Sequence, residues 1–309
     1  MKICHIISMD TMDQMGDISR NIFNYCIGEH IWSHIDKKPP KADIYLLECF
    51  KNNKYYKKFL DFKRPYKESG VISLVHSSFP CMPAIDSDCV VTISKARQKE
   101  LKNFCNIDSE LIYAGINLKA FDSCRALYVD YKTFSFGKIS RSDIGKFHDE
   151  WNYMILRLLE KYKKLEYRLI SRDYDKLPII KSNRAKYIDG VKIDNIERKC
   201  QELNKLLVYA DAHNERKPFV ETFNVALLEA MACGLPIVLF GLHQKAMVEV
   251  LGNAGIVCYD FEDFEDKLES LLVDVQLRKK LREKALKRAR FFSMEKMIKK
   301  WNKLFKRFN

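Results

Sequence analysis

The segment Lys217-Pro-Phe-Val-Glu221-Thr-Phe-Asn-Val-Ala-Leu-Leu-Glu229-Ala-Met-Ala-Cys-Gly234-Leu-Pro236-Ile-Val-Leu-Phe240 decides how this chain is read. From Val225 to Cys233 nearly every residue is apolar, and Ala, Leu and Met all favour a helix. A helix that is apolar almost all round belongs in a protein interior. Gly234 suits the left-handed position after the last turn, and Pro236 prevents the helix from continuing. Pro236–Phe240 then reads as a buried parallel strand. Glu229 is the one polar side chain inside this helix, and its burial is costly unless it meets a hydrogen-bond donor.

Glu221 precedes Glu229 by eight residues. Along a helix that spacing places the two carboxylates on the order of 12 Å apart. Between them lies a helix N-terminus, whose free N–H groups and dipole favour phosphate. A carboxylate at each end of a diphosphate suits a nucleotide-sugar, which carries hydroxyls on both the hexose and the ribose. The plainer alternative is a buried helix with one satisfied glutamate and one surface glutamate.

Outward from this segment, strand-like and helix-like stretches alternate, as in parallel α/β domains. Ile3–Ile7, Ile44–Leu47, Val71–His76 and Val90–Ile93 read as strands, and Ile18–Ile27 as a helix. Ser94 is placed to cap a helix over Lys95–Phe104. Periodicity breaks near Tyr113–Phe121, and Ser123–Lys132 reads as a crossover between domains. The pattern resumes with a strand at Thr133–Ile139, a helix at Glu150–Tyr162, a strand at Tyr167–Ile170 and a helix at Asn195–Leu207. The expected domains are therefore residues 1–126 and 127–290, followed by a terminal helix over 291–309.

Composition narrows the function classes. The 309 residues are 47% hydrophobic and 31% charged, with only 11 Gly and 8 Pro, which excludes a low-complexity or collagenous chain. Ten cysteines are scattered without Cys-x-x-Cys pairs or zinc spacing, so the expectation is reduced thiols in a cytoplasmic protein. The first residues are too short an apolar run for a signal sequence, and no stretch reaches the roughly 18 apolar residues of a membrane span. A net charge of +13 favours anionic partners without choosing among them. Residues 278–307 hold fourteen Lys and Arg against two Glu, with apolar positions at helical spacing. That basic face is either solvated or directed at anionic lipid. No nucleic-acid module is recognisable, so nucleic acid is not an expected partner.

The central segment resembles the Glu-x7-Glu signature of retaining glycosyltransferases of family 4. The resemblance implies an α/β protein of the GT-B fold, two Rossmann-like domains facing across a cleft. It implies that Glu221 contacts the donor sugar's hydroxyls and that Glu229 hydrogen-bonds the ribose. Phe223, Asn224 and Val225 then lie beside the sugar and phosphates, with Asn224 where the family usually has Gly. Phe136-Gly137-Lys138-Ile-Ser-Arg141 followed by Lys146 resembles the family's strand-end element, whose two cations flank the donor diphosphate and stabilise the leaving nucleotide. Here Lys138 stands in place of the usual Arg, a point charge instead of a planar fork, and Arg141 is a possible substitute.

His76 matches the family's histidine at a strand tip of the first domain, implied to position donor sugar or acceptor; a loop-edge histidine is the alternative. Gly16 remains from a loop that usually has two glycines near the phosphates. Gly115 and Asn117 match the turn that leaves the first domain and are read as structural. Asp173 and Asp175 imitate an Asp-x-Asp metal site, but the resemblance implies no metal and no cofactor beyond the nucleotide-sugar co-substrate. Asp211 and His213 are read as orienting the adjacent loop. The implied reaction moves a hexose-type sugar to a glycan or lipid-linked acceptor with retention of configuration, on a protein that is cytoplasmic or peripheral to a membrane. The rival is a catalytically weakened GT-B partner subunit, motivated by Lys138, Asn224 and the single glycine at Gly16.

Overall fold

A computed structural model of the chain describes residues 1–7, 17–49, 56–75, 82–127, 133–141, 143–171, 180–189, 196–216 and 221–308. The chain forms two compact units, one of Met1–Gly115, Glu221–Phe223 and Phe292–Asn309, the other of Ile116–Val220 and Asn224–Phe291.

In the first unit the order is β1 (Lys2–Ile7), α1 (Asp17–Tyr25), β2 (Glu29–His34), β3 (Ile44–Cys49), α2 (Tyr56–Leu60), β4 (Gly70–Val75), β5 (Cys89–Thr92), α3 (Lys95–Cys105) and β6 (Glu110–Leu111). The strands form one parallel sheet in the order β2-β1-β3-β4-β5-β6. Its core gathers Cys4, Ile6, Tyr45, Leu47, Phe59, Val71 and Val75. Ser94 caps α3 as expected, its hydroxyl accepting from the Arg97 amide at 3.2 Å. Strand β2, Glu-His-Ile-Trp-Ser-His, is an edge strand with only its last two residues buried, so it carries no apolar run by which the sequence could reveal it.

The second unit continues with α4 (Leu118–Leu127), β7 (Ser135–Ile139), α5 (Trp151–Lys161), β8 (Glu166–Ser171), β9 (Ala185–Asp189), α6 (Ile196–Lys205), β10 (Val208–Asp211), α7 (Val225–Ala232), β11 (Ile237–Phe240), α8 (Lys245–Leu251), β12 (Ile256–Cys258), α9 (Phe261–Val273) and α10 (Val275–Ala289). Its parallel sheet runs β12-β11-β10-β7-β8-β9. This is the doubly wound order, with the strand direction of travel reversing between β7 and β10. Helix α7 and strand β11 fall where the sequence placed them, and Gly234 adopts φ +68°. Residues 118–127, part of which read as a crossover, are instead helical. Phe121 and Cys124 of α4 are buried, and Arg125 Nη1 donates to the Ala232 carbonyl at 2.7 Å. The break between units therefore falls at Gly115, earlier than the expected 126.

Helix α11 (Met294–Phe305) belongs to the first unit and buries Met297, Trp301, Leu304 and Phe305. Asn302 Oδ1 accepts from the Ile27 amide at 2.8 Å, and Arg307 pairs with Glu110. Gly115 is required by close approach, since a Cβ there would meet the Met294 backbone at 2.7 Å.

Three arginines of the basic tail turn toward other helices of the second unit. Arg278 Nη1 donates to the Leu271 and Leu272 carbonyls of α9, both at 2.8 Å. Arg282 reaches the Cys233 and Gly234 carbonyls beyond α7, and Arg288 the Glu249 and Val250 carbonyls of α8. Three arginines along α10 thus satisfy carbonyl groups at the C-terminal ends of three other helices, groups that helices leave without intrahelical partners. Replacing Arg282 by Met, which keeps the length and removes the donors, is expected to lower stability by about 1–3 kcal/mol. Lys280→Met, on the exposed face of α10, is expected to change stability by less than about 0.5 kcal/mol. Urea-unfolding curves of the two variants check this; equal effects would refute the capping role.

Candidate active site

Ligands of doubly wound sheets bind outside the carboxyl ends of the strands, where strand order reverses. In the second unit that point lies between β7 and β10, and three segments converge on it. The loop after β7 holds a short 3-10 turn, Ile144–Lys146, whose Gly145 amide donates to the Asp143 carboxylate at 2.9 Å. The loop after β10 is joined to it by backbone hydrogen bonds, Asn214 N to Gly145 O and His148 N to Ala212 O, both 3.1 Å. Helix α7 begins at Asn224, whose Oδ1 accepts from the Leu227 amide at 3.0 Å. Asn is a strong N-cap, so this residue has a local reason to stand where the family usually has Gly.

A buried ion pair sits at the centre. Lys138 has no exposed surface, and its Nζ lies 2.8 Å from Asp211 Oδ1. The same ammonium donates to the Lys146 carbonyl and lies 4.2 Å from the Phe147 ring centroid and 4.9 Å from that of Trp151. His213 Nε2 is 3.5 Å from Asp211 Oδ1, and Asn224 Nδ2 is 3.5 Å from Oδ2. Burial alone pushes the Asp211 carboxyl up, but the Lys138 charge, followed by His213, overrides it and holds the carboxyl well below the usual carboxylate range. Asp211 thus ties the end of β10 to Lys138 of β7, with His213 beside it. The Lys138 ammonium, expected beside a donor diphosphate, is enclosed among protein groups.

Glu229 is 6% exposed, and its Oε1 accepts from Lys199 Nζ of α6 at 2.6 Å. This is the donor that its burial demands, and the sequence offered no signal for it because α6 and α7 are distant in the chain. At the other end of α7, Val225 is half-buried, so the first turn reaches the surface. Gly137 lies in the middle of β7, where a Cβ would come within 1.8 Å of the Arg168 carbonyl oxygen of β8; the sheet itself requires this glycine. Arg141 is exposed and Lys146 is buried.

Glu221 and Phe223 group with the first unit, where the Phe223 ring lies 6.3 Å from Tyr113 and 5.9 Å from Phe292. Gly16, His76, Asp173 and Asp175 lie outside the described residues. The second unit also holds a cavity of about 110 Å³ lined by Ile144, Trp151, Tyr167 and Tyr187 among others. Ligand pockets commonly occupy roughly 300–1,000 Å³, so this cavity does not displace the strand-reversal point as the candidate site.

Residues 198–288 match the family model of glycosyl transferases group 1, a span covering α7, Glu221 and Glu229. No curated protein sequence matches the chain. Among solved structures, a UDP-forming α,α-trehalose-phosphate synthase from Burkholderia xenovorans superposes with a TM-score of 0.64 at 13% identity, covering 84% of this chain and 72% of that one. The sucrose-phosphate synthase of Thermosynechococcus elongatus gives 0.62 at 14% identity over 86% and 73%. TarM of S. aureus, solved with UDP, α-GlcNAc-glycerol and Fondaparinux, gives 0.61 at 15% identity over 84% and 55%. The protein has the α/β fold of GT-B glycosyltransferases, two Rossmann-like units each built on a six-stranded parallel sheet.

The ion pair makes a paired prediction. Lys138→Met leaves Asp211 buried without its main counter-charge, with only His213 and Asn224 beside it, and is expected to cost about 3–5 kcal/mol at neutral pH, whereas Lys138→Met with Asp211→Leu should recover most of that loss. An unfolded Asp takes up its proton near pH 3.9, and folded Asp211 only at lower pH. The pair therefore stabilises the protein above about pH 5 and loses that contribution progressively as pH falls. Urea midpoints measured from pH 7 down to pH 3 should fall more steeply for wild type than for the double variant; parallel profiles would refute the assignment.

Proposed function

We propose that the protein is a retaining glycosyltransferase that moves a hexose-type sugar from a nucleotide-diphosphate sugar to a glycan or lipid-linked acceptor. The observation that carries this reading is Glu229, buried and held by Lys199 on a helix whose first turn opens at the strand-reversal point. A fixed carboxylate there suits the vicinal hydroxyls of a ribose, and the N-terminus of α7 suits a diphosphate. In this reading Glu221 serves the sugar hydroxyls, with Phe223 and Val225 beside them. For Gly16 and His76, which lie outside the described residues, the proposed roles stay those implied by the resemblance, phosphate contact and positioning of sugar or acceptor.

Catalysis would consist of stabilising the departing nucleotide, whose negative charge grows as the glycosidic bond breaks. Arg141 and Lys146 supply the opposing positive charge in this reading, without a metal ion. Lys138 acts from behind, since it holds the Lys146 carbonyl and ties the β7 loop to Asp211. The protein chemistry is positioning and electrostatics, with the donor's own leaving group providing the driving force. UDP is the first nucleotide to try, because one structural neighbour is UDP-forming and another was solved with UDP.

One observation favours a second reading. With the Lys138 ammonium committed to Asp211, the donor site has one cation fewer than the family pattern, as a nucleotide-binding partner subunit with weak turnover would. Binding and turnover separate the two.

Thermal-shift measurements with UDP, GDP and ADP are expected to show stabilisation by one nucleotide. At 100 times its dissociation constant it adds about 2.7 kcal/mol, a shift of several degrees in a protein of this size. Glu229→Gln should weaken that binding by about tenfold or more, as expected for loss of a charge-assisted hydrogen bond. No shift with any nucleotide sinks both readings; binding without release of nucleotide from sugar donors selects the partner subunit.

A lipid-linked acceptor is supported by the tail. Helix α11 exposes Lys296, Lys299 and Lys303 opposite its buried face, and α10 exposes Lys279, Lys280 and Lys287. Cosedimentation with anionic vesicles at low salt, lost as salt is raised, is the expected result. Equal recovery with neutral vesicles would exclude an electrostatic membrane contact.

A further inference from the structure

Three cysteines meet inside the second unit, Cys124 of α4, Cys200 of α6 and Cys233 at the C-terminal cap of α7. The Sγ atoms of Cys200 and Cys233 are 3.7 Å apart. Asn204 Nδ2 donates to Cys200 Sγ at 3.2 Å, and the Cys124 thiol is near enough to interact with Cys200. Arg125, whose guanidinium holds the Ala232 carbonyl, places its positive charge beside both Cys200 and Cys233.

One sulfur is thus surrounded by an amide donor, two thiols and a guanidinium, the environment that favours a thiolate. The hydrogen bond from Cys233 outweighs burial and lowers the Cys200 pKa, while the Cys233 thiol is raised. Elsewhere burial pushes the Cys4, Cys26, Cys89 and Cys258 thiols up to about 12. These four lack the donor set that singles out Cys200. Cys200 and Cys233 are fully buried and Cys124 is 8% exposed, so the reagent must be water-sized and reach Cys200 past Cys124.

We propose that Cys200 is a hydroperoxide-reactive modification site, with Cys233 as its resolving thiol. In the first step the Cys200 thiolate attacks one oxygen of hydrogen peroxide. The O–O bond breaks, hydroxide leaves, and Cys200 becomes a sulfenic acid. In the second step the Cys233 sulfur attacks the sulfenyl sulfur. The S–O bond breaks, and the departing hydroxide takes the Cys233 proton to form water. Two electrons pass from the sulfur pair to one peroxide, giving one disulfide, one water and one hydroxide. The new bond of about 2 Å would join α6 to α7 beside the Lys199–Glu229 ion pair.

The test uses the reduced full chain, exposed to hydrogen peroxide and mapped as peptides by mass spectrometry. The expected product is a Cys200–Cys233 cross-linked peptide, two hydrogens lighter and cleaved by dithiothreitol. It should form about tenfold or more faster than any oxidation at Cys4 or Cys89, in line with thiolate control of reactivity. In Cys233→Ala the sulfenic acid persists and is captured on Cys200 by dimedone. If that variant does not fold, the wild-type peptide map decides alone. Oxidation of Cys200 no faster than of Cys4 and Cys89, or a cross-link to Cys124 in place of Cys233, overturns the proposal. Neither readout depends on glycosyl transfer, so the thiol chemistry and the donor-site reading stand or fall separately.

Discussion

The interaction on which the second unit depends is the ion pair between Lys138 and Asp211. It joins β7 to β10 where strand order reverses, the one place in a doubly wound sheet where the loops part and a ligand can enter. Parting loops lose mutual support, and here the ammonium restores it by holding the Lys146 carbonyl as well. Two charges buried in this way gain little over a well-packed apolar pair, but either one alone would be severely destabilising. The pair therefore specifies arrangement more than it adds stability: it fixes which loop lies against which, and Asn224 at the start of α7 is set beside the same carboxylate.

Helix α7 is held differently at its two ends. Its C-terminal carbonyls and those just beyond are taken by Arg125 and Arg282. Its first turn is capped by Asn224 and reaches the surface at Val225. A helix whose negative end is neutralised inside the protein, and whose positive end faces outward, is disposed to meet an anion. The ion pair between Glu229 and Lys199 fixes the carboxylate in the same helix, so the groups proposed to meet phosphate and ribose hydroxyls share one rigid element.

The same arginines change the meaning of the net charge. A surplus of +13 suggests a surface waiting for an acidic partner. Arg278, Arg282 and Arg288, however, are engaged with backbone carbonyls inside the second unit. Lys279, Lys280 and Lys287 of α10 are exposed to solvent. Arginine suits these half-buried positions because its delocalised guanidinium is more weakly hydrated than a lysine ammonium and gives up less on leaving water.

The sequence alone determined the class of fold and the location of its most informative helix. Apolar residues from Val225 to Cys233, then Gly234 and Pro236, dictate a buried helix, a left-handed turn and a strand through local physics that no distant contact needs to supply. Strand β2 and helix α4 were not legible, because an edge strand has no apolar run and α4 is defined by what it packs against. For the site, residue types were visible and partners were not. Glu229 demanded a donor, but only folding brought Lys199 of α6 to it. Lys138 was legible as a cation near a strand end, yet whether it faces a ligand or Asp211 depends on how β10 lies beside β7, which local sequence cannot encode. The pairing of Cys200 with Cys233, 33 residues apart, likewise arises only when α6 packs on α7. Local patterns set elements; the long-range placement of charges and thiols belongs to the tertiary structure, and burial makes a lone charge costly enough to require a particular neighbour.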